Sequence, residues 1–162
     1  MKQIAIVAAA LLALCSCGKQ DAPPPPAAPG ATSDGPRPEK IANGEPAVIT
    51  VKHVLIAFEG AQRSEQKRSK DEAMKVAFEV LNRAKTGEDF DKIMKELSND
   101  PGEGTYTLVN TGISAKPGEF GRGDMVAAFG DVGFRIQVGE VGLADYDPKG
   151  SPFGLHVIKR VK

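Results

Sequence analysis

Tryptophan is absent from this chain of 162 residues, and tyrosine and histidine occur twice each, so few side chains can supply aromatic or imidazole chemistry. There are only two cysteines, Cys15 and Cys17. Both lie near the N-terminus, which excludes a disulfide-knit scaffold and leaves the body of the chain without a thiol nucleophile or thiolate metal ligand. Net charge is lacking too: 21 basic residues balance 21 acidic ones. No cationic field is left to attract phosphate backbones, and nucleic acid is not an expected partner. The apolar run from Ile4 to Leu14 is too short to span a bilayer.

That run follows Lys2 and reads as a secretory signal segment over 1–16. Leu14-Cys15-Ser16-Cys17-Gly18 resembles a bacterial lipobox, with Cys17 as the lipidated residue and Cys15 as the second candidate. A plain cleaved signal peptide is the alternative. Acylation at Cys17 would anchor the chain in the cell envelope facing the periplasm, so the membrane is an expected partner through the lipid. Gly18, standing where aspartate would retain an enterobacterial lipoprotein at the inner membrane, points to the outer one. Residues 17–46 are rich in Pro, Ala and Gly, include Pro23 to Pro26, and read as a disordered tether. The folded domain is expected over 47–162.

Within it, Val48 to Ile56 reads as a strand with Val51, His53 and Leu55 on one face and Lys52, Val54 and Ile56 on the other. Ser69 to Glu72 forms a capping box ahead of Ala73, Val76, Ala77, Val80, Leu81 and Ala84 at helical spacing. A second helix carries Phe90, Ile93, Met94 and Leu97 and ends in the Asp100-Pro101-Gly102 turn. Residues 102–123 read as loop apart from a strand-like Tyr106 to Val109. A short helix holds Met125, Ala128, Phe129 and Val132, Gly139 and Gly142 bound a turn, and Phe153 to Val161 is a closing strand. Strands and helices do not alternate in βαβ units, so the class is α+β with an antiparallel sheet.

The blocks His53-Val54-Leu55-Ile56, Thr86 to Phe90, Leu97 to Asp100, Phe120 to Met125, Val138 to Gly142 and Phe153 to Ile158 follow one another in an order that resembles a parvulin-type peptidyl-prolyl cis/trans isomerase domain. The resemblance covers about residues 49–162. It implies an FKBP-like β-α-α-α-β-α-β-β fold around a shallow groove, with a third helix just after Asp100. The chain departs from the pattern by an insertion at about 107–119.

Rotating an X-Pro amide means losing resonance worth roughly 18–20 kcal/mol at the barrier, and it requires neither nucleophile nor metal. A site must grip the proline and favour the twisted amide over either planar isomer. No cofactor is expected, and the partners are proline-containing protein segments. The resemblance implies a proline cup of Met125, Phe129 and Phe134, with Tyr106 as a further wall. On spacing alone, Met125 and Phe129 read as core, and it is the resemblance that turns them into a binding wall. It also implies a histidine pair, His53 and His156, with Ser151 nearby and Asp100 beside the rotating carbonyl. For the histidines, orienting the groove is the leading role and proton transfer the other. Asp100 either disfavours charge on the amide oxygen or simply makes a turn. Three scattered ligands make a poor zinc site. Arg63, Lys67, Arg68 and Lys70 are candidates for recognising an acidic residue before proline, with a solvated loop as the alternative. The expected activity is isomerisation of X-Pro bonds in extracytoplasmic proteins; the alternative is a chaperone-like peptide-binding module using the same groove.

Overall fold

The computed structural model describes residues 36–162. The signal segment, Cys17 and the tether up to residue 35 lie outside the described residues. The elements are β1 (Val48–Ile56), α1 (Lys70–Lys85), α2 (Phe90–Leu97), β2 (Thr105–Val109), β3 (Glu119–Gly121), a 3₁₀ turn (Arg122–Asp124), α3 (Ala127–Arg135), β4 (Val141–Ala144) and β5 (Leu155–Arg160). The five strands form one sheet in the order β3-β2-β1-β5-β4.

Alternation along β1 and β5 splits the apolar side chains between two cores. Val54, Ile56, Leu155 and Val157 pack against Ala73, Ala77 and Val80 of α1 and Phe90 and Ile93 of α2. Ile49, Val51, Leu108 and Ile158 meet Phe129 and Val132 of α3 on the other face. The helix α1 starts where its capping box predicts: Ser69 Oγ accepts from the Glu72 amide, and the Glu72 carboxylate accepts from the Ser69 amide.

Three features depart from the sequence reading. No helix stands between Asp100 and β2, where the third helix was expected; Asp100 Oδ1 accepts from the Gly102 amide, closing a turn of its own, and Pro101 has no amide to donate. The sheet is mixed rather than antiparallel throughout, because the insertion returns as β3, paired parallel to β2 with Leu108 opposite Phe120. The turn expected between Gly139 and Gly142 ends at Glu140, because Val141 and Gly142 already belong to β4, which pairs antiparallel with β5 as the resemblance implied.

Residues 37–46, read as tether, are hydrogen-bonded to the domain. The Ala47 amide donates to the Glu39 carbonyl at 2.9 Å, and Lys40 and Pro46 form an antiparallel bridge. A stretch with little to bury can still be fixed when its polar groups find partners.

Candidate active-site groove

The site begins with strand register. Leu55 of β1 stands opposite His156 of β5, and His53 opposite Ile158. His53 and His156 are therefore diagonal neighbours on one face, within reach of long side chains. Val51 stands opposite Tyr106 of β2, so Tyr106 is the diagonal neighbour of His53 on the other side. The approach of β2 is close: the His53 amide donates to the Gly104 carbonyl at 2.8 Å. Gly104 has φ +68°, and a Cβ there would fall 3.1 Å from the His53 carbonyl oxygen and 2.7 Å from Met94 Cε. Glycine is required at that point.

The groove above this floor has a volume of about 510 Å³. Tyr106, Met125 and Phe129 form its apolar wall, His53 and His156 its base, and Asp100 one rim. Phe129 meets both histidines edge-on, with ring centroids 5.0 Å from His53 and 5.6 Å from His156. The expectation that Met125 and Phe129 share a helical face is corrected. The helix α3 starts at Ala127, and Met125 reaches the groove from the extended backbone after the 3₁₀ turn.

Four polar groups make a chain. Tyr106 Oη donates to Asp100 Oδ2 at 3.0 Å, His53 Nε2 lies 2.7 Å from the same oxygen, and His53 Nδ1 lies 3.2 Å from His156 Nδ1. The hydrogen bond from His53, aided by the Gly102 amide and Tyr106, holds the Asp100 carboxyl down at about 2. Burial, and then the Asp100 charge, push the Tyr106 hydroxyl up to about 12. Burial pushes His156 down to about 3, so it is neutral at pH 7. Because Asp100 is ionised, His53 Nε2 carries a proton and donates. In the His53 tautomer that carries its proton on Nε2, Nδ1 accepts from His156 Nδ1–H, leaving His156 Nε2 as a bare lone pair. That nitrogen is buried without a hydrogen-bond partner among the described residues. Both nitrogens of His53 are thus engaged by protein.

Several expected site residues lie elsewhere. Ser151 is fully buried, and its hydroxyl donates to the Gly154 carbonyl at 3.1 Å rather than to a histidine. Phe134 is 2% exposed and packs in the core below α3, under the Arg122 guanidinium. Five residues along a helix rotate a side chain by about 140° from the first position, which carries Phe134 away from the face of Phe129. The basic cluster is not assembled either. Arg63 alone of the four lines the groove, over the Phe153 ring at 5.7 Å. Arg68 bonds Gln66, Lys70 lies over Tyr146, and Lys67 is exposed outside the groove.

Sequence reasoning missed Leu55, Gln62, Asn99 and Val126, which also line the groove. The period-two face of β1 already carried Leu55 with His53. Asn99 had no signal beyond its turn, yet its side-chain oxygen accepts from the Ala57 amide at 3.0 Å and pins the end of β1.

The comparisons with known proteins agree with this geometry. The PPIC-type PPIASE domain matches residues 39–162. The "Foldase protein PrsA" of Geobacillus kaustophilus is 41% identical over 90 residues, covering 56% of this chain and 27% of that protein. The "Foldase protein PrsA 4" of Bacillus cereus is 36% identical over 90 residues, with 56% and 28% covered. The chain thus spans little more than a quarter of the length of these relatives. Among solved structures, a peptidyl-prolyl isomerase from Candida albicans, ESS1, superposes with a TM-score of 0.55 at 21% identity, covering 74% of this chain and 69% of that one; at that identity the likeness concerns the fold. With the family match spanning all of the sheet and the groove, this chain belongs to the PPIC-type peptidyl-prolyl isomerase domain family.

Proposed function

We propose that the groove catalyses cis/trans isomerisation of X-Pro bonds in proteins outside the cytoplasm, by non-covalent means. The observation that carries this reading is the coincidence of an apolar cup, Met125, Phe129 and Tyr106, with the Asp100–His53–His156 chain at its base. The cup takes the proline ring. The ionised Asp100 faces the same space and disfavours negative charge on the preceding carbonyl oxygen, weakening amide resonance where rotation must occur. The histidines orient Asp100 and Tyr106. His53 holds the carboxylate at 2.7 Å, and His156 is neutral and buried, which suits support rather than proton exchange with a peptide.

The name of the relatives, foldase, supports a role in assisting folding. The lipobox supports an envelope location with Cys17 as the anchor, the rest of residues 17–35 as spacer, and the outer membrane as destination. Labelled fatty acid should enter the wild type and the Cys15→Ser chain, and should be lost in Cys17→Ser.

The activity is tested on a proline tetrapeptide after a solvent jump. The chain should accelerate the cis-to-trans phase above the uncatalysed rate. Binding of the peptide without acceleration would instead support the chaperone-like reading.

A further inference from the structure

Beyond the buried Leu108 and Val109 of β2, the insertion at 107–119 has almost no apolar anchor of its own. From Thr111 to Gly118 every residue but Ile113 is exposed. The strand to which the insertion leads, β3, is three residues long and pairs with β2 alone. A strand that short needs other support.

That support comes from residues 37–46. Arg37 forks onto Glu119, with Nη1 2.8 Å from Oε1 and Nη2 2.7 Å from Oε2, and Nη2 also donates to the Ser114 carbonyl at 2.7 Å. Such a bidentate pair fixes direction as well as distance. Glu119 Oε2 accepts from the Lys116 amide too, closing the turn before β3. At the other side, Glu45 Oε2 accepts from Arg122 Nη1 at 2.7 Å and from Asn110 Nδ2 at 3.1 Å, and Asn110 Nδ2 donates to the Pro46 carbonyl. Residues 37–46 therefore grip the inserted turn at its start, Asn110, and at its end, Glu119 and Arg122. Phe120 sits next to Glu119 and is 42% exposed. Its ring meets Tyr106 edge-on at 5.6 Å, on the groove wall whose hydroxyl bonds Asp100.

We infer that Arg37 and Glu119 form a clasp that positions the groove wall, holding β3 so that Phe120 backs Tyr106, and that residues 37–46 are thereby a working part of peptide binding. Arg37 and Glu119 are positioning residues; neither lines the groove. This rests on the isomerase reading only for the direction of its kinetic effect, since peptide binding reads the clasp by itself.

The full chain is compared with Arg37→Ala, Glu119→Ala, the double variant, Arg37→Lys and, as control, Arg83→Ala, which breaks an ion cluster between α1 and Glu88 and Glu96. Proline-peptide affinity is measured by NMR titration, kcat and KM by the isomerase assay, and folding by thermal melting. Each clasp single variant should weaken peptide affinity and raise KM about five- to tenfold, with kcat within twofold. The double variant should be no worse than the worse single one, Arg37→Lys should fall between, and the Tyr106 ring resonances should move. Arg83→Ala should change none of these. Wild-type affinity in both single variants, additive losses in the double, or equal losses in Arg83→Ala would each overturn the clasp. A wild type that binds peptide but does not accelerate isomerisation would overturn the isomerase reading, leaving the clasp to be judged on affinity.

Discussion

His53 and His156 stand diagonally across β1 and β5 with their Nδ1 atoms 3.2 Å apart, and one proton serves both. Whichever ring holds it is decided at the far side of His53, where Asp100 accepts from Nε2. The carboxylate thus sets the tautomer of both rings while it borders the space where the substrate carbonyl turns. Its charge and its hydrogen bonds have separable consequences.

Asp100→Asn keeps the shape and one acceptor oxygen but removes the charge. If the charge weakens amide resonance, kcat should fall by about tenfold, some 1.4 kcal/mol of barrier, with KM little changed. Asp100→Ala should do no worse in kcat, but it leaves His53 Nε2 and Tyr106 Oη without their partner and should raise KM as well. An Asn variant with wild-type kcat would assign Asp100 to holding the groove in shape.

Acid should unfold the domain in two stages. His156 is held at about 3, well below the ordinary histidine value. The unfolded chain therefore binds a proton that the folded one refuses, and stability falls as pH drops below about 6.5, by up to ~1.4 kcal/mol per unit. Asp100, held at about 2, adds a contribution present above its unfolded value near 4 and lost as pH falls towards 2. Thermal melts from pH 7.5 to 4.5 should show wild type losing stability more steeply than His156→Gln. Parallel slopes would mean that His156 is charged in the fold.

The parts of this fold legible in the sequence are those whose signal is local. Period-two alternation marked β1 and the closing strand, the resemblance paired the histidines across them, and the Ser69 box fixed the start of α1. What escaped was long-range or polar. The three residues of β3 have no pattern of their own and are held by Arg37, 82 positions away. Ser151 and Phe134 matched by order in the chain, but a hydroxyl answers to the nearest buried acceptor and a helical ring to its rotation. The missing third helix was stopped by an Asp100 side chain competing for the Gly102 amide.

Phe129 and Phe134 separate the cup from the core. Both are buried, so truncating either to alanine costs about 3–5 kcal/mol and confounds the comparison. Leucine is milder. Phe129→Leu should lower kcat/KM at least about fivefold, roughly 1 kcal/mol, because the ring that meets both histidines is lost. Phe134→Leu should lower Tm with kcat/KM within twofold. Equal kinetic losses at temperatures where both variants are folded would return Phe129 to a purely packing role.

The residue before proline should be chosen by a lining that carries Arg63 against Glu65, Asp100 and Asp124. This reverses the acid preference that the loop's basic residues suggested in sequence, since Lys67 and Arg68 do not face the groove. At low salt, peptides with Lys before proline should match or exceed those with Glu, by no more than a few-fold because exposed pairs are worth about 0–1 kcal/mol. Salt should collapse the difference. Arg63→Ala should widen it, whereas Lys67→Ala/Arg68→Ala should leave it unchanged. Arg63 is also the one described non-glycine residue with positive φ, at 58°. Arg63→Gly should therefore widen the Lys-over-Glu gap as alanine does while melting higher than the alanine variant, since glycine adopts that backbone without strain. A Glu-preferring wild type whose preference survives Arg63→Ala would place acid recognition on some other group.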